Sequence, residues 1–179
     1  MRRIALLAAL ALSLTTHAIA QPTIFVVRHA ERADAGTAAA TMADADPDLS
    51  DAGHARARSL AAMLKDAGVK AIFATNRKRT QQTAAPLATA LGLTVVTIPS
   101  GDTAELVAKV KAASGNVLVV GHSNTVPSIV AHYGATVRGP DGAPVANLPD
   151  DDYGALFVLT LPPEGPGPAA SMLALRYGD

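Results

Sequence analysis

Short apolar segments alternate with longer amphipathic segments along most of the chain. The segments at 23–27, 71–75, 94–98 and 116–121 (TIFVV, AIFAT, TVVTI and NVLVVG) are almost continuously apolar, which is typical of strands buried on both faces of a sheet. After each of them, directly or beyond a loop, apolar residues recur every three or four positions. That spacing predicts a helix.

The predicted helices begin and end at residues suited to helix termini. Ser50 is the predicted N-cap of the first helix, and Gly68 is its predicted stop. The second helix is predicted over about 78–91 and is followed by a glycine, the third covers 103–113, and the fourth covers about 124–133. The alternation of strands and helices therefore predicts a three-layer α/β/α sandwich with a mainly parallel sheet.

The end of the chain has a different pattern. Two apolar segments at 153–161 and 170–177 flank a stretch rich in proline and glycine, which predicts a hairpin or an antiparallel edge of the sheet. Two long loops are predicted at 33–48 and 134–152. Long loops in compact domains often form lids over a binding site, so these two are expected to determine substrate specificity.

The first twenty residues have the order of a secretory signal peptide. Arg2 and Arg3 precede an apolar run at 4–14, and the small residues Ala18 and Ala20 stand at the expected cleavage positions. We expect cleavage after residue 20, a mature single domain at 21–179, and export, to the periplasm if the source is a bacterium. An uncleaved N-terminal anchor is the alternative.

Composition narrows the classes of function. The chain has no cysteine, which excludes disulfides, thiolate metal sites and a cysteine nucleophile. Loss of Arg2 and Arg3 would leave thirteen basic against fifteen acidic residues, a balance unsuited to binding nucleic acid through bulk charge. No later segment is apolar enough to predict membrane insertion after cleavage, and no pattern indicates an oligomeric state.

Histidine and arginine follow three of the predicted strands. Arg28 and His29 follow the first strand, Arg77 and Arg79 the second, and His122 the fourth. The carboxyl ends of parallel strands meet at one edge of a sheet, where ligands bind. Arginine suits phosphate oxygens, a helix N-terminus next to His122 favours an anion, and a neutral imidazole can attack phosphorus. Helical spacing alone leaves open whether Arg77 or Arg79 faces this pocket.

Four segments, VVRHAE, LSDAG, ATNRKRTQQTA and VLVVGHSNT, occur in this order and resemble the histidine phosphatase superfamily, in its branch similar to phosphoglycerate mutase. The resemblance implies that His29 is the nucleophile and that Arg28 beside it binds phosphate. It selects Arg79 as a second phosphate ligand and His122 as the second histidine of the pocket. Arg32 would be a further phosphate ligand by its position.

The general acid is the one part of the family pattern that the sequence does not supply clearly. Relatives similar to phosphoglycerate mutase usually place a glutamate after the third strand, where this chain offers Asp102 and Glu105. Glu31 and Asp34 are also near enough in sequence to His29 to be considered, and some small members of the superfamily have no clear acid. We therefore leave the acid open among these four residues or none.

The resemblance implies a metal-independent phosphatase that hydrolyses phosphomonoesters or phosphohistidine through a phosphohistidine intermediate, without a cofactor. The expected partner is a small phosphorylated compound or a phosphoprotein, and no nucleic acid. A zinc site built from His29, His122 and loop aspartates is disfavoured because the arginines would repel a cation. A non-catalytic binder of phosphorylated ligands is the main alternative, and a phosphoglycerate-type mutase is a weaker one.

Overall fold

Six strands and four helices alternate along the part of the chain that the computed structural model describes, which comprises residues 22–37, 46–162 and 170–178. In chain order the elements are β1 (Thr23–Arg28), α1 (Asp51–Leu64), β2 (Val69–Thr75), α2 (Lys78–Leu91), β3 (Val95–Ile98), α3 (Thr103–Ala112), β4 (Asn116–Gly121), α4 (Thr125–His132), β5 (Ala155–Thr160) and β6 (Ser171–Arg176). The predicted signal peptide lies outside the described residues. Within them, no helix has both the length and the apolar character needed to cross a membrane.

The six strands form one sheet in the order β3-β2-β4-β1-β5-β6. The first four strands in this order are parallel, whereas β5 runs antiparallel to β1 and β6 runs antiparallel to β5. The fold class predicted from the sequence is therefore confirmed. The last two strands are both a hairpin and the antiparallel edge of the sheet.

Each face of the sheet is covered by one pair of helices. Successive residues of a strand point to opposite faces, so Val26 and Val27 of β1 belong to different core clusters. Val26 shares its cluster with Ile129 and with residues of α3, and Val27 shares its cluster with Leu87 and with residues of α1. The sheet is thus buried between α3 and α4 on one side and α1 and α2 on the other, as three layers.

The helix termini agree closely with the sequence pattern, with one difference. The Oγ atom of Ser50 accepts a hydrogen bond from the backbone N–H of Gly53 at 3.1 Å, so Ser50 is the N-cap of α1 as predicted. Helix α1 ends at Leu64, four residues before the predicted stop, and Gly68 (φ 67°) forms part of the turn that leads into β2. Helix α2 has the predicted bounds.

The segment after β1 lies directly against the first turn of α1. The backbone N–H of Ser50 donates to the carbonyl oxygen of Glu31 at 3.0 Å. Gly53 is buried at this contact, and a Cβ atom added to it would overlap the same carbonyl oxygen. A glycine is therefore required here for the chain just beyond Arg28 and His29 to approach the helix.

We expect Gly53→Ala to destabilise the fold by about 1–3 kcal/mol, because the added methyl group must displace backbone. Helix propensity alone predicts the opposite sign, a gain of up to about 1 kcal/mol. Urea denaturation followed by circular dichroism measures the change, with the exposed neighbour His54→Ala as the control. A Gly53→Ala protein at least as stable as wild type would contradict the close approach.

Candidate active site

A cavity of ≈ 330 Å³ lies at the carboxyl ends of β1, β2 and β4. All five residues that the sequence nominated for the site line it. The complete lining consists of Arg28, His29, Arg32, Arg77, Arg79, Ser100, His122, Ser123, Asn124 and Asp150. Four arginines and two histidines therefore surround one volume, which is the composition of an anion site.

His29 is held rigidly at the end of β1. Its backbone N–H donates to the carbonyl of Gly121 at 2.9 Å, and the N–H of Ala30 donates to the hydroxyl of Thr83 on α2 at 2.9 Å. The ring Nδ1 atom lies 2.8 Å from the carbonyl oxygen of Ala30. Because a carbonyl oxygen only accepts, we assign the ring proton to Nδ1, which leaves a lone pair on Nε2.

The surroundings of His29 keep its imidazole neutral. Burial lowers the pKa of His29 from 6.5 to about 2, the hydrogen bond to Ala30 opposes this, and the nearby His122, Arg28 and Arg79 lower the pKa further. Only 3% of the residue is exposed. A buried, neutral imidazole with a free lone pair is the form that can act as a nucleophile.

His122 lies beside His29, with ring centroids 5.4 Å apart and ring planes inclined at 66°. Its Nδ1 atom is 3.4 Å from Nη2 of Arg79, which can only donate, so we assign the ring proton to Nε2. Nε2 in turn lies 2.9 Å from the hydroxyl of Thr75, the last residue of β2. The Thr75 hydroxyl lies 2.9 Å from that of Thr80 on α2.

This chain of hydroxyl groups has one consistent direction. The Thr80 hydroxyl is 2.7 Å from the carbonyl oxygen of Arg77 and 2.9 Å from that of Thr75, to either of which it donates. Thr80 must then accept from Thr75, and Thr75 must accept from Nε2 of His122. The buried threonines thereby fix both the ring orientation and the tautomer of His122.

His122 is also neutral when the cavity contains no anion. Its pKa is lowered from 6.5 to about 4, most by burial and then by the positive charges of Arg79, Arg77, Arg28 and Arg32, in that order. A negative charge in the cavity would act against the arginines and favour the protonated ring. His122 is thus suited to respond to the charge of a bound ligand.

Arg28 is buried and fixed from one side by the loop before β5. Its Nη1 atom donates to the carbonyl oxygens of Pro149, Asp150 and Asp152 at 2.7, 3.2 and 3.4 Å. Its guanidinium group lies over the ring of Tyr153, 4.3 Å from the ring centroid. The buried Nε atom of Arg28 has no hydrogen-bond partner among the described residues, so one donor is left for a ligand.

Arg79 has more unused hydrogen-bonding capacity than Arg28. Its Nε and Nη1 atoms are buried without a hydrogen-bond partner among the described residues, although Asp46 lies 3.8 Å from Nη1. The backbone carbonyl of Arg79 accepts from Thr83, the same hydroxyl that holds the segment next to His29. Buried donors without partners are costly, and an anion between Arg79 and His29 would satisfy them.

Arg32 lines the cavity but is engaged by a carboxylate. Its Nε and Nη2 atoms donate to the two carboxylate oxygens of Asp34 at 2.8 and 2.7 Å. This ion pair makes Arg32 a weaker candidate phosphate ligand than Arg28 or Arg79. The sequence had nominated Arg32 only by its position three residues after His29. Arg77, which helical spacing left open beside Arg79, also lines the cavity.

The four carboxylates considered from sequence as the general acid all have other partners. Asp102 accepts from the backbone N–H of Glu105 at 2.9 Å and caps α3. Glu105 pairs with Lys109. Glu31 pairs with Arg56 at 2.8 Å, and Asp34 pairs with Arg32. None of the four lines the cavity.

One acidic residue that the sequence did not nominate, Asp150, does line the cavity, as does Ser100 after β3. Asp150 belongs to the predicted loop 134–152, and Tyr153 is the first residue of the predicted apolar segment 153–161. No motif marks either residue as part of a site. Thr75 and Thr80 could have been nominated, since one ends the second predicted strand and the other follows Arg79 directly.

The family model of the histidine phosphatase superfamily (branch 1) matches residues 24–100, which include Arg28, His29 and Arg79. No curated protein matches the chain. The match ends before His122, so the second histidine rests on the fold and on the cavity.

Solved structures share this fold over nearly their whole length. The protein histidine phosphatase SixA in complex with tungstate is 21% identical, covers 86% of this chain and 96% of its own, and has a TM-score of 0.62. A mycobacterial glucosyl-3-phosphoglycerate phosphatase in complex with inorganic phosphate is 16% identical, covers 88% and 97%, and has a TM-score of 0.59. A protein described as mycobacterial hydrolase 2 is 14% identical, covers 87% and 89%, and has a TM-score of 0.60. The family match over residues 24–100 and this shared fold together support the histidine phosphatase superfamily as the family of the chain.

Proposed function

We propose that the protein is a metal-independent phosphatase that works through a phosphohistidine intermediate on His29. The observation that carries the proposal is the neutral imidazole of His29, whose Nε2 lone pair is free in a cavity lined by arginines. A nucleophile and the positive charge needed to stabilise a transferring phosphoryl group are thus supplied by side chains alone.

The reaction proceeds in two steps. Nε2 of His29 bonds to phosphorus as the bond from phosphorus to the leaving atom breaks, and Arg28, Arg79 and His122 hold the non-bridging oxygens. The leaving group takes up a proton from solvent as it departs. Water then attacks phosphorus, the bond from phosphorus to Nε2 breaks, and inorganic phosphate and neutral His29 are restored.

The carboxylates around the site bear on the choice of substrate. Asp150 is the acidic side chain that lines the cavity within the described part of the chain, and its residue is exposed. A site without a committed acid favours leaving groups that need little protonation, such as the imidazole of a phosphohistidine or a phenol. An alkyl phosphate, whose alkoxide is a poor leaving group, would react more slowly.

The relatives support a phosphatase without deciding the substrate. One is described as a protein histidine phosphatase and another as a glucosyl-3-phosphoglycerate phosphatase, which are chemically different substrates. We further propose that the protein acts after export, on the basis of the signal-peptide pattern at 1–20. A binder without turnover is the second candidate, favoured by the engagement of all four nominated acids.

Phosphatase activity is tested with 4-nitrophenyl phosphate in EDTA, using wild type, His29→Ala and, as the matched control, His54→Ala. We expect turnover in wild type and the control, and a loss of at least about a thousandfold in His29→Ala, because the nucleophile is removed. Rapid alkaline quench with radiolabelled phosphoramidate should trap an alkali-stable label on wild type that His29→Ala lacks.

Retained turnover in His29→Ala would exclude the proposed mechanism. An inert wild type, with a melting temperature that phosphate raises in wild type but not in Arg79→Ala, would support the binder instead.

The threonine chain generates a second prediction, about the orientation of His122. Thr75→Val removes the acceptor of the buried Nε2–H at nearly constant volume, and we expect kcat to fall about tenfold with a small change in KM. Thr75→Ser keeps the hydroxyl and should restore kcat. Equal losses in both variants would show that packing, and not the hydrogen bond, is what Thr75 provides.

The neutral state of His29 also has a consequence for stability. The unfolded chain binds a proton on His29 near pH 6.5, whereas the folded chain does so only near pH 2, so the fold loses stability as pH falls below 6.5. Between pH 7 and 5 this costs about 2 kcal/mol. In His29→Asn this loss is absent. We therefore expect the free energy of unfolding to fall between pH 7 and 5 by about 2 kcal/mol less in His29→Asn than in wild type.

Urea titrations in buffers free of phosphate and sulfate measure this difference, because bound anions would stabilise the folded state. The exposed His54→Asn is the control and should follow wild type. Parallel pH profiles of wild type and His29→Asn would mean that the fold does not lower the pKa of His29.

A further inference from the structure

A second cavity, of ≈ 470 Å³, adjoins the first and shares three of its lining residues, Arg28, Arg32 and Asp150. The outer cavity is completed by Ala35, Gly36, Asp151 and Tyr153. The ring of Tyr153 has its centroid 6.0 Å from that of His29, so the outer cavity begins next to the nucleophile. When a phosphoryl group lies at His29, the neighbouring outer cavity is therefore large enough to hold the leaving group of the substrate.

The cations that line the outer cavity are already engaged. Asp34 binds Arg32 through both carboxylate oxygens, and Arg28 is held by three backbone carbonyls and by the ring of Tyr153. The Nε atom of Arg28 has no hydrogen-bond partner among the described residues, and the first cavity, here called the inner cavity, is the anion site. Asp34 thus balances the charge of Arg32, and Arg28 is the one cation of this lining whose charge no carboxylate pairs within the described ranges.

Its carboxylates, in contrast, are not neutralised. Asp150, Asp151 and Asp152 are consecutive, and of the three only Asp152 forms an ion pair within the described ranges, with Arg176 at 2.9 Å. Asp150 and Asp151 are exposed and face the outer cavity. Two unpaired carboxylates beside a tyrosine ring and small apolar residues attract a cation and an apolar or planar group together.

We propose that the outer cavity binds the leaving group of the substrate and selects a leaving group that carries an ammonium or similar cation on an apolar or planar body. This assignment rests on the proposed phosphatase function. The inner cavity, lined by arginines, holds the dianionic phosphoryl group. The outer cavity, lined by Asp150 and Asp151, holds the cationic end of the same substrate. A leaving group with a carboxylate, as in phosphoglycerate, is disfavoured by Asp150 and Asp151.

Three aryl phosphates of similar size test the assignment: 4-(aminomethyl)phenyl, 4-methylphenyl and 4-(carboxymethyl)phenyl phosphate. The ammonium substituent also lowers the basicity of its phenol, so the preference is judged by its change in an outer-cavity variant. We expect kcat/KM to decrease in that order, by about fivefold at each step at low salt, since the carboxylates are exposed. The preference should weaken as ionic strength rises. Turnover of the neutral 4-methylphenyl ester tests the phosphatase function independently of the charge preference.

Asp151→Asn is the decisive variant, because Asp151 lines only the outer cavity. It should lower the ratio of kcat/KM for the aminomethyl ester to kcat/KM for the 4-methylphenyl ester at least about twofold. Asp66→Asn, an exposed aspartate between α1 and β2 at the opposite edge of the sheet, is the matched control and should change neither.

Equal kcat/KM for the three esters, or a preference that Asp151→Asn leaves intact, would overturn the assignment even if the protein is a phosphatase. If no ester is hydrolysed, the phosphatase function fails and the outer cavity is tested by calorimetric binding of the same three esters to the full chain. Tighter binding of the aminomethyl ester, lost in Asp151→Asn, would support the cation site. Equal affinities would overturn it.

Discussion

The parallel pairing of β1 with β4 is the contact on which the site depends. Its register sets Arg28 opposite Gly121, so the next residue of each strand is a histidine, and His29 donates from its backbone to the carbonyl of Gly121. Two residues 93 positions apart in sequence, His29 and His122, are thereby brought within 5.4 Å at their ring centroids. A slip of this register by one residue would separate them and send one ring to the other face.

Burial and the surrounding arginines then act on these histidines in the same direction. Both lower the pKa of His29 and of His122, so the rings stay neutral while the arginines carry the positive charge. This division of roles is what a phosphoryl-transfer site needs, because a protonated imidazole has no lone pair with which to attack. Arg28 and Arg79 retain buried donors without hydrogen-bond partners among the described residues, and an anion can use them.

The sequence predicted the sheet and most of the site because both depend on local patterns. Buried parallel strands are continuously apolar, and their last residues must lie at one edge, which predicts that Arg28 and His122 lie together with Arg77 or Arg79. The resemblance to the family selected Arg79 of these two. What it could not predict depends on the path of a long loop. The carbonyls and the ring that hold Arg28 come from residues 149–153, over 120 positions away, and no periodicity fixes such a loop. The general acid could not be predicted for a related reason. A carboxylate that is near the site in sequence can instead cap a helix or form an ion pair elsewhere in the fold.

The choice of nucleophile between the two histidines also has a physical basis beyond the resemblance. His122 donates from Nε2 to Thr75 and turns Nδ1 towards Arg79, so neither ring nitrogen is free to attack. His29 uses only Nδ1, in its bond to the carbonyl of Ala30, and no described residue hydrogen-bonds its Nε2. The two rings have opposite tautomers because one faces a carbonyl and the other a guanidinium group. These partners support the proposal that His29 is the nucleophile. His122 gains an N–H on Nδ1 for a phosphoryl oxygen only when a bound anion favours protonation of its ring.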